Sequence, residues 1–220
     1  MLILCLIMLW PISRALALTP DEQQSVMLIK QAYGKRAGMR VTAWRQLLAD
    51  IQQQRELAQL QQVNSLFNQL LFLDDLDIWG QSDYWATPLE FLGVGAGDCE
   101  DFSIAKYFSL RELGIADEKL RLIYVKALSL DQFHMVLAYY PSPAAVPLVL
   151  DNLTPDILRA TERHDLQPIY SFNGSKLWLM KLQGEGQSIG KASQLKKWNL
   201  LRSRFRGKQL AQPIIDIDND

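Results

Sequence analysis

The chain opens on an almost unbroken apolar run, Leu2 to Ile12, and then changes rhythm. From Thr19 to about Phe72 the apolar positions recur at helical spacing. Thr19-Pro20-Asp21-Glu22 supplies a cap, a proline at the first position and acids in the first turn. Gly34 and Gly38 predict a break. From Thr42, Trp44, Leu47, Leu48 and Ile51 fall on one helical face, and Leu57, Leu60, Val63, Leu66, Phe67 and Leu70 extend the helical region. Gln52-Gln53-Gln54 reads as a solvated helix face. Asp74 to Leu92, with four aspartates, two tryptophans and a proline, is expected to be irregular.

Asp98 then caps a predicted helix through Phe102, Ala105, Phe108 and Leu113, which Gly114 ends. Strand-like runs follow at Leu120 to Leu128, Phe133 to Tyr140, Val146 to Leu153 and Lys176 to Leu182. Gly184-Glu185-Gly186 predicts a loop, and a basic amphipathic helix is expected from about Ala192 to Phe205. Between Lys191 and Lys208 stand seven basic residues and no acid. The spacing of Leu195, Trp198, Leu201 and Phe205 docks one face on the core; approach to anionic lipid is the alternative. Helices, then a helix bearing a cysteine, then antiparallel strands make an α+β fold.

At 220 residues, with 49% hydrophobic and 21% charged positions, the chain suits one globular domain with a sizeable core. A net charge of -1 does not suggest a nucleic-acid binder. The run at Leu2–Ile12, closed by the small residues Ala15-Leu16-Ala17, has the layout of a cleaved export signal over 1–17, although no Lys or Arg precedes it. The expected organisation is that signal, a helical part at 18–92, a core with the cysteine helix and strands at 93–210, and an acidic tail at 211–220. The expected location is the periplasm.

Cleavage of the signal removes Cys5 and leaves Cys99 alone, so no internal disulfide can form. Cys99 is then either a buried packing residue or a reactive thiol. Its setting, a glycine-rich approach followed by acids and a helix start, favours a nucleophile. At a first helical position, free N–H groups and the dipole lower a thiol pKa. Such a nucleophile needs an imidazole and a group to orient it. His134 opens one strand and Asp151 lies near the end of the next. A hairpin turning at Ser142-Pro143 sets the two directly opposite, with Cβ atoms about 5 Å apart, and the prolines allow a slip of a residue or two that keeps the pair close. His164, in the charged stretch Thr161-Glu162-Arg163-His164-Asp165, is the weaker base. For the oxyanion, the Cys99 N–H is one donor, and Trp85 and Gln81 are candidates for a second.

The acids beside the thiol have two readings. Asp98 and Asp101 form a capping pair, or Asp98, Glu100 and Asp101 bind a hard cation such as Ca²⁺. The second reading removes negative charge that otherwise raises the thiol pKa. Asp74, Asp75, Asp77 and Asp83 are a source of further ligands, but not as an EF-hand.

Several blocks are similar to the bacterial transglutaminase-like cysteine proteinases. They are Trp79-Gly80-Gln81-Ser82-Asp83-Tyr84-Trp85-Ala86-Thr87-Pro88, Gly97-Asp98-Cys99-Glu100-Asp101-Phe102, Ala105-Lys106-Tyr107, His134-Met135-Val136-Leu137, Leu148-Val149-Leu150-Asp151-Asn152-Leu153 and Tyr170-Ser171-Phe172-Asn173. The resemblance covers roughly Tyr33 to Trp198, and its best-known members are of the LapG type. It implies a papain-like or transglutaminase-like fold, a Cys99–His134–Asp151 triad, and Ca²⁺ bound by Asp98, Glu100 and Asp101. It also implies a large repeat-containing surface adhesin as substrate, cut near its N-terminus at an Ala-Ala-Gly-type site to disperse biofilm. The implied inhibitory partner is a LapD-type inner-membrane cyclic-di-GMP receptor. Acyl transfer of the transglutaminase or amidase type stays open, as does a calcium-dependent binding module without activity.

Overall fold

The computed structural model describes residues 18–180 and 187–218. The expected export signal with Cys5 and the loop at Gly184–Gly186 lie outside the described residues. Helix α1 spans Pro20–Tyr33 and starts as its sequence dictates. Thr19 accepts from the Glu22 backbone while Glu22 reaches back to the Thr19 N–H, a reciprocal cap with proline at the first turn. Gly34, at φ 94°, ends it, and α2 (Lys35–Ile51) follows at once. Gly38 does not break the chain as expected. It lies inside α2, where an added Cβ would stand 3.0 Å from the Lys30 Cβ, so it lets α1 and α2 approach closely. Helix α3 covers Glu56–Phe67, and a short strand β1 (Leu71–Phe72) precedes α4 (Asp75–Trp79).

The stretch expected to be irregular contains α4 and also α5 (Pro88–Val94). Thr87-Pro88 and Glu90 repeat the capping box of α1, with both reciprocal bonds present. Strand β2 (Ala96–Gly97) pairs in parallel with β1 and delivers the chain to α6 (Cys99–Glu112).

Seven further strands follow: β3 (Leu120–Ala127), β4 (Gln132–Tyr139), β5 (Leu148–Leu150), β6 (Leu158–Arg159), β7 (Leu166–Phe172), β8 (Lys176–Leu179) and β9 (Gln187–Lys191). They form one antiparallel sheet in the order β6-β5-β4-β3-β7-β8-β9. Helix α7 (Lys196–Gly207) closes the domain. Strand β7 has no clean signature because Pro168 interrupts it; the ladder to β3 shifts register between Tyr124 and Val125, where Pro168 lies opposite.

Helix α6 packs on one face of β3 and β4. The main core lies there, with Trp44, Phe67, Phe91, Phe102, Leu137 and Phe172 all nearly inaccessible. Each such side chain contributes about 1.5–3 kcal/mol through burial. A smaller apolar cluster of Ile123, Val125, Val136, Ala138, Tyr140 and Val149 covers the other face. Helix α7 buries Trp198 and Leu201, which is the docking role its spacing predicts. The segment after it straps the helical layer. Ile214 N–H donates to Ile78 O at 2.7 Å, and Arg40 pairs with Asp218 at 2.8 Å. No helix among the described residues is long and apolar enough to cross a membrane.

Candidate active site

Cys99 is the first residue of α6, and Asp98 is its cap, accepting from the Glu100 N–H at 3.2 Å. The thiol is buried and donates to Glu100 Oε2 at 2.7 Å. Burial, then the carboxylates of Glu100 and Asp98, push its pKa well up, while the Met135 backbone N–H favours the thiolate. These carboxylates and burial therefore outweigh the lowering expected from the helix start. One turn along α6, Ser103 Oγ donates to Met135 O at 2.9 Å and ties the helix to β4 beside His134.

His134 and Asp151 are in contact. His134 Nε2 lies 2.7 Å from Asp151 Oδ1, and both residues are buried. Their register is slipped by two residues from direct opposition, within the range the prolines allow. Leu137 stands opposite Leu150 and Tyr139 opposite Leu148, two residues away from a turn centred on Ser142-Pro143, and β5 ends before Asp151. A slip of two preserves side-chain alternation, so the pair meets diagonally instead of directly. The Leu153 N–H also donates to Asp151 Oδ1 at 3.0 Å, and Asn68 Nδ2 holds the Asp151 carbonyl at 2.8 Å. Although burial opposes it, the His134 bond and its charge, the Leu153 N–H and Arg163 hold Asp151 well below the usual carboxylate range.

Arg163 is the residue sequence reasoning missed. Its Nη2 donates to Asp151 Oδ2 at 2.8 Å from a side chain that is itself buried. His164, next to it, is exposed. The only signal was Arg163 between Glu162 and Asp165, and that pattern is common to any solvated loop.

The acids around Cys99 form two overlapping groups. Ligand atoms of Asp98, Cys99 and Glu100 lie within 4.8 Å of one another, and so do those of Asp75, Asp98 and Asp101. Asp101 is not the partner of a capping pair: its Oδ1 accepts from the Ala86 N–H at 2.7 Å. Of the four aspartates at 74–83, Asp75 alone joins this cluster among the described residues. Asp74 and Asp77 are exposed, while Asp83 pairs with Lys197 and accepts from the Trp85 indole at 3.1 Å. Burial and the neighbouring Asp98 push Asp75 up to about 8 and Glu100 up to about 7. Burial raises Asp98 and Asp101 as well.

Asp75 Oδ1 and Asp101 Oδ2 are buried with no hydrogen-bond partner among the described residues. Gly97 admits Asp101 here, since a Cβ at Gly97 would stand 2.4 Å from that Oδ2. Crowded, dry oxygen donors with unpartnered lone pairs fit a hard divalent cation.

A thiol at a helix N-terminus that accepts from the Met135 N–H, one residue after a strand imidazole bonded to a carboxylate, fits the transglutaminase-like cysteine peptidase class. The family model described as bacterial transglutaminase-like cysteine proteinase BTLCP matches residues 39–172, and the chain belongs to that family. LapG of Legionella pneumophila treated with EGTA is 41% identical and superposes with a TM-score of 0.74, covering 83% of this chain and 96% of that one. Calcium-bound LapG of the same organism is 42% identical with a TM-score of 0.72, over 83% and 98% of the two chains. No curated protein matches the chain.

Proposed function

We propose that this chain is a calcium-dependent, exported cysteine endopeptidase with Cys99 as nucleophile, His134 as acid and base, and Asp151 as orienting carboxylate. The single observation that carries the reading is the buried His134–Asp151 bond at 2.7 Å, in a strand whose next residue, Met135, lies against the Cys99 thiol. Because His134 Nε2 is committed to Asp151, Nδ1 is the nitrogen left to exchange a proton with sulfur. The Cys99 thiolate attacks a peptide carbonyl, and its backbone N–H stabilises the oxyanion. His134 passes its proton to the leaving amine. It then takes a proton from the water that attacks the thioester, and the acid product leaves as the C–S bond breaks. Asp75, Asp98, Glu100 and Asp101 are the residues that would hold Ca²⁺, and the ion's charge would offset the carboxylates that keep the proton on the thiol.

The substrate we propose is a large surface adhesin, cut near its N-terminus at an Ala-Ala-Gly-type site in the periplasm, which releases the adhesin and promotes biofilm dispersal. The proposed negative regulator is a LapD-type inner-membrane receptor responding to cyclic-di-GMP. Family membership and the match to calcium-bound LapG support the cysteine-peptidase and calcium readings, and the substrate and regulator follow from the family resemblance.

The test is cleavage of an adhesin N-terminal fragment with calcium, with EGTA, and with Cys99→Ala. Cleavage that needs both calcium and the thiol is expected. Calcium-independent cleavage would reduce the acids to helix caps and packing. No cleavage by folded, calcium-loaded protein would move the assignment to acyl transfer or to a binding role.

A further inference from the structure

Asp151 has two carboxylate oxygens, and rotation about its Cβ–Cγ bond exchanges them. Oδ1 serves His134 and the Leu153 N–H, so the bond to the imidazole keeps its direction only if Oδ2 is also held. Arg163 holds it at 2.8 Å. The guanidinium is in turn gripped by Asp165, with Nε to Oδ1 at 2.9 Å and Nη2 to Oδ2 at 2.8 Å. Nη2 carries two hydrogens, so one faces Asp165 and the other Asp151. A planar fork between two carboxylates is geometry that a lysine ammonium cannot reproduce.

The fork is fixed to the sheet. The Arg163 N–H donates to Ala160 O at 3.3 Å, and Asp165 O accepts from the Leu128 N–H at 2.8 Å, just past the end of β3. The Arg163 side chain is 6% exposed, whereas that of Asp165 is 43% exposed. The buried arginine therefore reaches inward from an anchor at the surface.

We infer that Arg163 is a positioning residue for the triad, with Asp165 as its outer anchor: the pair fixes the orientation of Asp151 and through it the His134 ring. The inference rests on the proposed triad but is read separately from proteolysis. Its primary readout is the imidazole Nε2–H resonance of His134 in calcium-loaded, ¹⁵N-histidine-labelled protein. The chain has only two histidines, and exposed His164 is removed as His164→Gln to assign the signal.

Arg163→Ala is expected to broaden or abolish that resonance. It should lower kcat on the adhesin fragment at least tenfold, with KM within twofold. Arg163→Lys, which keeps charge without the fork, should stay within twofold of Arg163→Ala. Asp165→Asn should lower kcat about threefold and shift the resonance in the same direction. It keeps a charge on Asp151's partner, so it decides the matter if Arg163→Ala fails to fold. An unchanged resonance in Arg163→Ala or Asp165→Asn, or full recovery by Arg163→Lys, would overturn the inference. If wild type cleaves nothing, the protease reading fails, while the resonance still decides the role of Arg163.

Discussion

Asp101 and Asp151 are equally buried, at 0% and 1% exposure, yet their surroundings drive them in opposite directions. Asp151 receives donors from His134, Leu153 and Arg163 and is held ionised. Asp101 has one backbone donor, an unpartnered Oδ2, and Asp75, Asp98 and Glu100 acting on it with like charge, so it is pushed towards the neutral acid. Burial is common to both, so the partners decide. A carboxylate whose job is to orient an imidazole is supplied with fixed donors. Carboxylates meant for a cation are left short of donors, and their mutual repulsion is relieved when the cation arrives. Lys106 lies near Asp151 but follows the second pattern, burial without a hydrogen-bond partner. It is fully buried, and its Nζ has no hydrogen-bond partner among the described residues and lies over the Phe102 ring, 5.9 Å from its centroid. Burial lowers its pKa to about 7, while the charge of Asp151 works the other way.

The contrast is broken most severely at Asp151. Asp151→Asn should reduce kcat by about 10³–10⁴, the scale on which a triad imidazole loses its tautomer. Calcium affinity, measured by titration calorimetry, should stay within twofold. Equal loss at both sites would show that they are one electrostatic unit.

Asp101→Asn should act the other way, weakening calcium binding by at least about tenfold, the lower end of what even outer partners of a metal contribute. Cleavage should return when calcium is raised. Loss of rate that calcium does not restore would assign Asp101 to the Ala86 bond alone.

A smaller and more diagnostic effect lies in the pH dependence of stability. Asp75 and Glu100 have folded pKa values raised to about 8 and about 7, so the metal-free native state binds more protons than the unfolded chain. Their stabilising contribution is present below the ordinary carboxylate range and is lost as pH rises through the folded values. In EGTA the Tm should therefore fall between about pH 5 and pH 8. Saturating calcium should flatten or reverse that slope. Asp151 has the opposite sign, and its contribution is lost only on acidification.

The smallest change tests the scaffold beneath the acidic group. Thr87→Ala removes the cap of α5 and should cost about 1 kcal/mol. In a domain of this size that is about 2–4 °C in Tm. Calcium affinity should change little, because Asp101 is held by the Ala86 backbone and not by the Thr87 side chain.

Much of this organisation was legible in the chain because the forces are local. Thr19-Pro20-Asp21-Glu22 specifies a helix start by bonds within one turn, and Asp98 does the same for the helix that presents Cys99. The same signal at Thr87-Pro88-Leu89-Glu90 was equally readable, but the aspartates and tryptophans around it suggested a loop. Strands β3 and β4 showed as apolar, strand-like runs. Strand β7 did not, because Pro168 breaks the ladder, and β6 is too short to carry a period.

By itself, the sequence determined which chemistry is on offer: a thiol at a helix start, an imidazole on a strand, a carboxylate at the end of the next apolar run, and acids beside the thiol. Each depends on neighbours within a few residues, whose propensities and hydrogen bonds need no distant partner. Tertiary structure alone decided which acids converge and which are served. Asp75 meets Asp98 and Asp101 from more than twenty residues away, and Arg163 returns across a loop to hold Asp151. The two-residue slip between β4 and β5 was also settled there. The reason is physical: burial and field are properties of everything packed around a group, and a chain read in order contains no record of what will surround it.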